Sequence, residues 1–268
     1  MEQSIIEKME SYGQAKVTML QETPIKYWLR AILAGMYLTI VGLVYWSLLH
    51  NMSDPAVGKV LGSLFFGVGL TVIVFTNSEL FTSNNMYLSI SSFHHKTSWR
   101  QTAYVWSICY LGNLIGAIII ALLLVGAGVL DYLPVDHALY KAALSKARQP
   151  ASVLFFKGIF ANWIVCLAVW VAFKLQEEIA KLFAMILIVF IFLYLGFEHS
   201  IANMGTFAMS LLGHGELTLQ EALYNLVFCT PGNIVGGALF IGTVYCFLNV
   251  PKQEQTKTET KKIQSHTS

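Results

Sequence analysis

Two stretches decide the fold: TNSELFTSNN at 76–85 and GFEHSIAN at 196–203. Each sets a carboxylate, Glu79 or Glu198, and several polar groups deep in an apolar run, at about 59–91 and 179–212. Both runs exceed the roughly 20 residues that a helix needs to cross a bilayer. At membrane depth, backbone leaves the helix only where it is buried in protein or lines a cavity. The two runs are therefore expected to be broken helices facing the interior of the protein.

Four further apolar runs flank them, at about 28–49, 100–130, 150–174 and 220–249, which makes six spans. Composition agrees. Of the 268 residues, 56% are hydrophobic and 12% charged, against roughly 25% charged in a soluble domain. Much of the exterior must face lipid. The net charge of +2, with no basic patch interleaved with aromatics, gives no reason to expect nucleic acid. The amphipathic start, 1–27, has no signal-peptide core or cleavage site and reads as cytoplasmic. The hydrophilic end, 250–268, reads as a disordered cytoplasmic tail. With the start inside, Lys59, Lys141, Lys146, Arg148 and Lys157 fall outside and the other twelve of 17 lysines and arginines inside. This is the positive-inside pattern, and it places both termini in the cytoplasm.

The two broken stretches belong to a repeat. Glu79 and Asn84 match Glu198 and Asn203, and GNLIG at 112–116 matches GNIVG at 232–236. From Glu79 to Asn113 is 34 residues, and from Glu198 to Asn233 is 35. Each half, about 28–130 and 150–249, holds three spans, so the second starts from the opposite face and the repeat is inverted. The glycines of GN-x-x-G are expected to let helix backbones approach closely, with a direct substrate role for Asn113 or Asn233 as the alternative.

Three ionisable groups lie inside the runs, and such groups are functional candidates by default. Glu79 reads as an architectural acceptor for backbone N–H groups freed at its break. Glu198 is expected to do the same and to hold the neighbouring ring. His199 stands where the first half has Leu80, so the repeat does not account for it, and it is the side chain that titrates near neutral pH. Half-helix N-termini beside an imidazole suit a small anion, with Lys26, Lys146 and Lys157 as steering cations at the mouths. Cys109, Cys166, Cys229 and Cys246 sit in apolar runs without CxxC spacing and read as buried small residues; neither metal nor cofactor is expected. HExxH, GxSxG and GxxxxGK[ST] are absent, and the chain is not expected to be an enzyme. The other readings are a neutral-solute channel, an embedded enzyme using Glu198 and His199 as an acid–base pair, and a scaffold without a pore.

From about residue 20 to 250 the chain resembles the formate/nitrite transporter family. SELFTSN (78–84), NWIVCLAVW (162–170), FEHSIAN (197–203) and GNIVGG (232–237) carry the likeness, and LPVD (133–136) and LFFKG (154–158) resemble its nitrite-channel branch. The resemblance implies an all-α membrane protein with six transmembrane helices, an aquaporin-like inverted repeat and breaks in helices two and five. It implies a homopentamer in the inner membrane, passing nitrite or another small inorganic or organic anion, formate and hydrosulfide included, with or without protons. It puts the central histidine at His199, its glutamate at Glu198, its threonine partner at Thr82 and an asparagine of the site at Asn162. It puts an outer constriction at Phe81 and Phe192, an inner one at Leu70 and Phe66, and vestibule lysines at Lys146 and Lys157.

Overall fold

The computed structural model describes residues 2–249, and the expected tail at 250–268 lies outside them. Among the described residues every regular element is a helix. Six passes are built from α2 (Pro24–Asn51), α3 and α4 (Pro55–Phe75, Phe81–Phe93), α5 (Trp99–Gly126), α7 (Ala151–Lys174), α8 and α9 (Glu178–Tyr194, Ser200–Leu212), and α10, which runs from Leu219 to Ile234 and continues to Leu248. Five of these passes hold a helix long and apolar enough to span alone; the fifth pass in chain order is assembled from α8 and the short apolar α9. Large apolar side chains such as Phe65, Leu123, Phe156 and Leu187 are more than half exposed, which fits a lipid-facing or subunit-facing exterior.

Both broken passes stop in the same way. After α3, Asn77 takes a left-handed φ of 52°, and after α8, Gly196 takes 71°. Ser78 N then donates to Ile73 O and Phe197 N to Phe192 O, each 2.9–3.0 Å, the six-to-one bond that closes a helix C-terminus. A short extended segment follows, and the second half-helix begins at Phe81 or Ser200.

The freed backbone groups are met by the asparagines of the GN-x-x-G motifs. Asn113 Oδ1 accepts from Phe81 N at 3.0 Å, while its Nδ2 donates to Ala31 O and Glu79 O at 2.7 and 2.9 Å. Asn233 Oδ1 accepts from Ser200 N at 2.8 Å, while its Nδ2 donates to Gly158 O and Glu198 O at 2.8 and 2.9 Å. This corrects the expectation that Glu79 and Glu198 serve the breaks. A carboxylate only accepts, whereas one amide supplies both the acceptor and the donors that a break leaves unpaired. The glycines do what the spacing suggests: a Cβ on Gly116 would lie 2.0 Å from Ile32 O, and one on Gly232 2.1 Å from Phe155 O.

Two helices lie outside the six passes. α1 (Glu2–Glu22) packs across α4, with Gly13 against Tyr87 O and Glu10 paired with His94. α6 (Ala138–Ala147), in the stretch between the third and fourth apolar runs, packs on α2, α9 and α10. α1 sits by the start of α2 and α6 by its end, so they mark opposite faces. α4 runs toward α1 and α9 toward α6, so the two half-helices turn their N-termini toward each other.

Candidate functional site

A hydrogen bond joins the two half-helices: His199 Nε2 lies 2.9 Å from Thr82 Oγ1. His199 is the N-cap of α9, and its Nδ1 accepts from Ala202 N at 3.2 Å. Nδ1 is therefore unprotonated, the proton sits on Nε2, and Nε2–H donates to Thr82. Phe192 stacks on the imidazole at 5.7 Å between centroids, and Phe66 meets Phe192 edge-on at 6.0 Å. Glu198, expected to hold the ring, points elsewhere. Its oxygens accept from Lys146 at 3.1 Å, Gln149 at 2.9 Å and Asn203 at 2.7 Å. Lys146, which is half-buried, serves as its counter-ion, because the buried Glu198 charge needs a partner.

A cavity of about 60 Å³ opens on the α6 side, lined by Lys146, Phe66, Phe192, His199, Tyr45, Trp46 and Thr206 among others. At roughly 10–15 Å³ for each water-sized position, it takes a few waters or one small anion. A second cavity, about 150 Å³, opens on the α1 side, lined by Lys16, Arg30, Glu79, Leu80, Ile73 and Tyr87 among others. It mirrors the first. Lys16 Nζ donates to Glu79 Oε2 at 2.7 Å, and Asn84 donates to the same oxygen at 2.9 Å. Each mouth thus carries a lysine paired with a buried glutamate, and an asparagine five residues beyond the glutamate.

The structure rearranges the expected constrictions. Phe66 lies with Phe192 and Lys146 in one cavity, not with Leu70 on the opposite side of the histidine. Phe66 and Phe192 face each other because α3 and α8 pack side by side. Phe81 and Leu70 are buried, at 3% exposure each, but line neither cavity; Phe81 packs on Tyr110, and Leu80 holds the cavity wall instead. Thr82 is also fully buried. Asn162 Nδ2 donates to Asn233 O, Thr82 O and Asn85 Oδ1 at 2.6–3.1 Å. It ties the two breaks together and does not face either cavity. Lys157 donates to Gln149 at 2.7 Å and so touches Glu198 through one side chain. Lys26 is exposed and away from both cavities; Lys16 and Arg30 take its place.

Lys16 was legible in principle. In α1 the buried residues Ile5, Met9, Gly13, Val17 and Leu20 form one face, and Lys16 lies on it. A lysine on an apolar helix face calls for a buried partner. Tyr45, Trp46 and Thr206 carry no such mark, since on periodicity they read as core. Trp46 Nε1 bonds Thr206 Oγ1 at 3.1 Å, which closes the cavity wall.

A family model described as formate/nitrite transporter matches residues 3–247. The nitrite transporter NirC of Escherichia coli (strain K12) is 39% identical over 231 residues, 84% of each chain. An uncharacterised transporter of Bacillus subtilis (strain 168), YwcJ, is 39% identical over 254 residues, 93% of this chain and 99% of its own. The formate channel FocA of Escherichia coli (strain K12) is 30% identical over 261 residues, 88% of this chain and 90% of its own. A solved structure described as an FNT family ion channel matches with TM-score 0.88 at 33% identity, covering 92% of this chain and 99% of its own. One described as a pentameric formate channel with formate bound matches with TM-score 0.71 at 30% identity, covering 84% and 96%. The chain is a multi-pass membrane protein that belongs to the formate/nitrite transporter family, whose members are transporters and channels and not enzymes.

Proposed function

We propose that this protein is a channel for a small monovalent anion, with nitrite as its first substrate and His199 as the central polar group. The observation that carries the reading is the single His199–Thr82 contact between two inverted helix breaks, with a lysine-bearing cavity on either side. Lys146 Nζ has three hydrogens, and Glu198 engages it through two oxygens, which leaves a donor for an anion in the cavity. The anion then passes the Phe66–Phe192 rings and takes over the Nε2–H that His199 otherwise gives Thr82. It leaves past Leu80 toward Lys16. Apolar rings exclude water and hydrated cations, so the anion needs these donors, or a proton from the pathway, to cross.

Nitrite is favoured over formate because the nitrite transporter relative is 39% identical and the formate channel relative 30%. LPVD and LFFKG support the same choice. Formate remains the second reading, since a structural relative is described with formate bound. The same relative, described as pentameric, together with the apolar exterior, supports a homopentamer. The lysine and arginine distribution supports an orientation with the α1 face cytoplasmic; the channel domain is taken as 28–249, in the inner membrane, with short ends on either side of it.

Flux into proteoliposomes, with nitrite, formate and hydrosulfide in competition at two pH values, tests this. Saturable nitrite flux that the other two anions compete with is expected. Passage of uncharged solutes with no anion flux, or consumption of nitrite, would contradict it.

A further inference from the structure

The α6 helix, which carries Lys146 over the cavity, is fastened at its first turn by a pair of histidines. His137 is its N-cap: Nδ1 accepts from Leu139 N at 3.2 Å. The ring is 1% exposed and lies 4.4 Å, centroid to centroid, from His50 in the last turn of α2. Because Nδ1 is an acceptor, the neutral ring carries its proton on Nε2, and that buried Nε2 finds no partner among the described residues. A second proton has one place to go, Nδ1, and there it removes the cap of α6. It also puts a cation at a helix N-terminus, where the dipole opposes it.

The surroundings offer little compensation. From α2 the facing group is His50 itself. From α6 it is Tyr140, 6.3 Å away, whose ring leads on to His214 in the turn after α9. Asp136, beside the cap, is paired with Lys141 at 3.4 Å, and Glu221 of α10 is paired with Arg148 at 2.8 Å. Glu198 of the α8–α9 break is held by Lys146.

We propose that His50 and His137 form an acid-operated latch on α6: acid on the α6 face unfastens the first turn and draws Lys146 away from the cavity over His199. Burial pushes the His137 pKa down to about 4; His50 adds to the shift and the Asp136 carboxylate opposes it. The fastened helix thus keeps the ring neutral, whereas a released one takes up a proton below the ordinary value of about 6.5. The fastened state is at full strength above about pH 6.5 and loses ground as the pH falls toward 4.

The structural consequence stands apart from the channel reading; only its effect on flux rests on that reading. Hydrogen exchange at 138–147 in the full-length protein in lipid nanodiscs, corrected for intrinsic rates, should quicken by roughly thirtyfold from pH 7.5 to 5.0. In His137→Asn, which caps equally well but does not titrate, the acceleration should vanish, and His50→Gln, which leaves the cap in place, should blunt it. Acidifying this face alone should slow nitrite flux in the wild type and not in His137→Asn. Equal exchange at the two pH values, the same acceleration in His137→Asn, or the same flux response in both proteins overturns the latch. If no preparation conducts anions, the channel reading falls, and the exchange result still decides the latch.

Discussion

At the scale of single residues, the molecule sets charged pairs at both mouths and a neutral contact between them. Lys16 and Glu79 are 10% and 3% exposed at their side chains, and Lys146 and Glu198 are 18% and 1%. Removing one member of such a pair strands a buried charge, which costs about 3–5 kcal/mol. Lys16→Met should therefore lower the unfolding free energy in detergent by that order, and Lys16→Met with Glu79→Gln should recover part of it. An unchanged midpoint in the single variant would show that Glu79 finds another partner. The sequence reading located both glutamates and the odd histidine, because ionisable residues stand out in apolar runs. It misassigned what the carboxylates do, since Lys16 lies 63 residues from Glu79 and Lys146 lies 52 from Glu198. Partners that distant along the chain leave no local pattern. The role of Asn113 and Asn233 was equally hidden: a GN-x-x-G motif announces close packing, but the amide's work depends on which backbone the packing brings near.

At the scale of elements, the inverted repeat was readable because each half preserved the same order of carboxylate, asparagine and GN-x-x-G. The turns that end α3 and α8 were not, as Thr76-Asn77 and Leu195-Gly196 share no residue type and only the left-handed φ unites them. α6 was missed because ALYKAALSKA is short and carries two lysines, so it resembles a loop in a hydropathy reading. The stretch Val235–Thr243, where the sixth pass widens into a π-helix, was also invisible, as it is apolar throughout. Gly236 and Gly237 there are crowded by Ile159 O and by the Asn162 amide, at 2.3 and 2.5 Å from an added Cβ. The contact at Gly236 is with backbone and cannot relax by a rotamer change. Gly232→Ala, whose Cβ would meet Phe155 O at 2.1 Å, should push α7 and α10 apart. The expected result is a loss of folded protein on size-exclusion chromatography, and an alanine variant that elutes and melts like the parent would contradict the close approach.

At the scale of the whole molecule, two half-helices aimed at each other from opposite faces leave one polar contact at their junction, and one half contributes the imidazole while the other contributes the hydroxyl. In the proposed channel this contact is the step an anion must negotiate. Nitrite flux into proteoliposomes should be compared for the wild type, Thr82→Val and His199→Phe across pH 5 to 8. His199→Phe keeps a ring against Phe192 but has no N–H to offer, and it should change both the rate and its pH dependence. A loss of one hydrogen bond to an anion is worth about 1.5–3 kcal/mol, which corresponds to roughly ten- to a hundredfold in rate. Thr82→Val should shift the rate in the same experiment. A His199→Phe protein that conducts nitrite at the wild-type rate, with the wild-type pH profile, would rule out this role for His199.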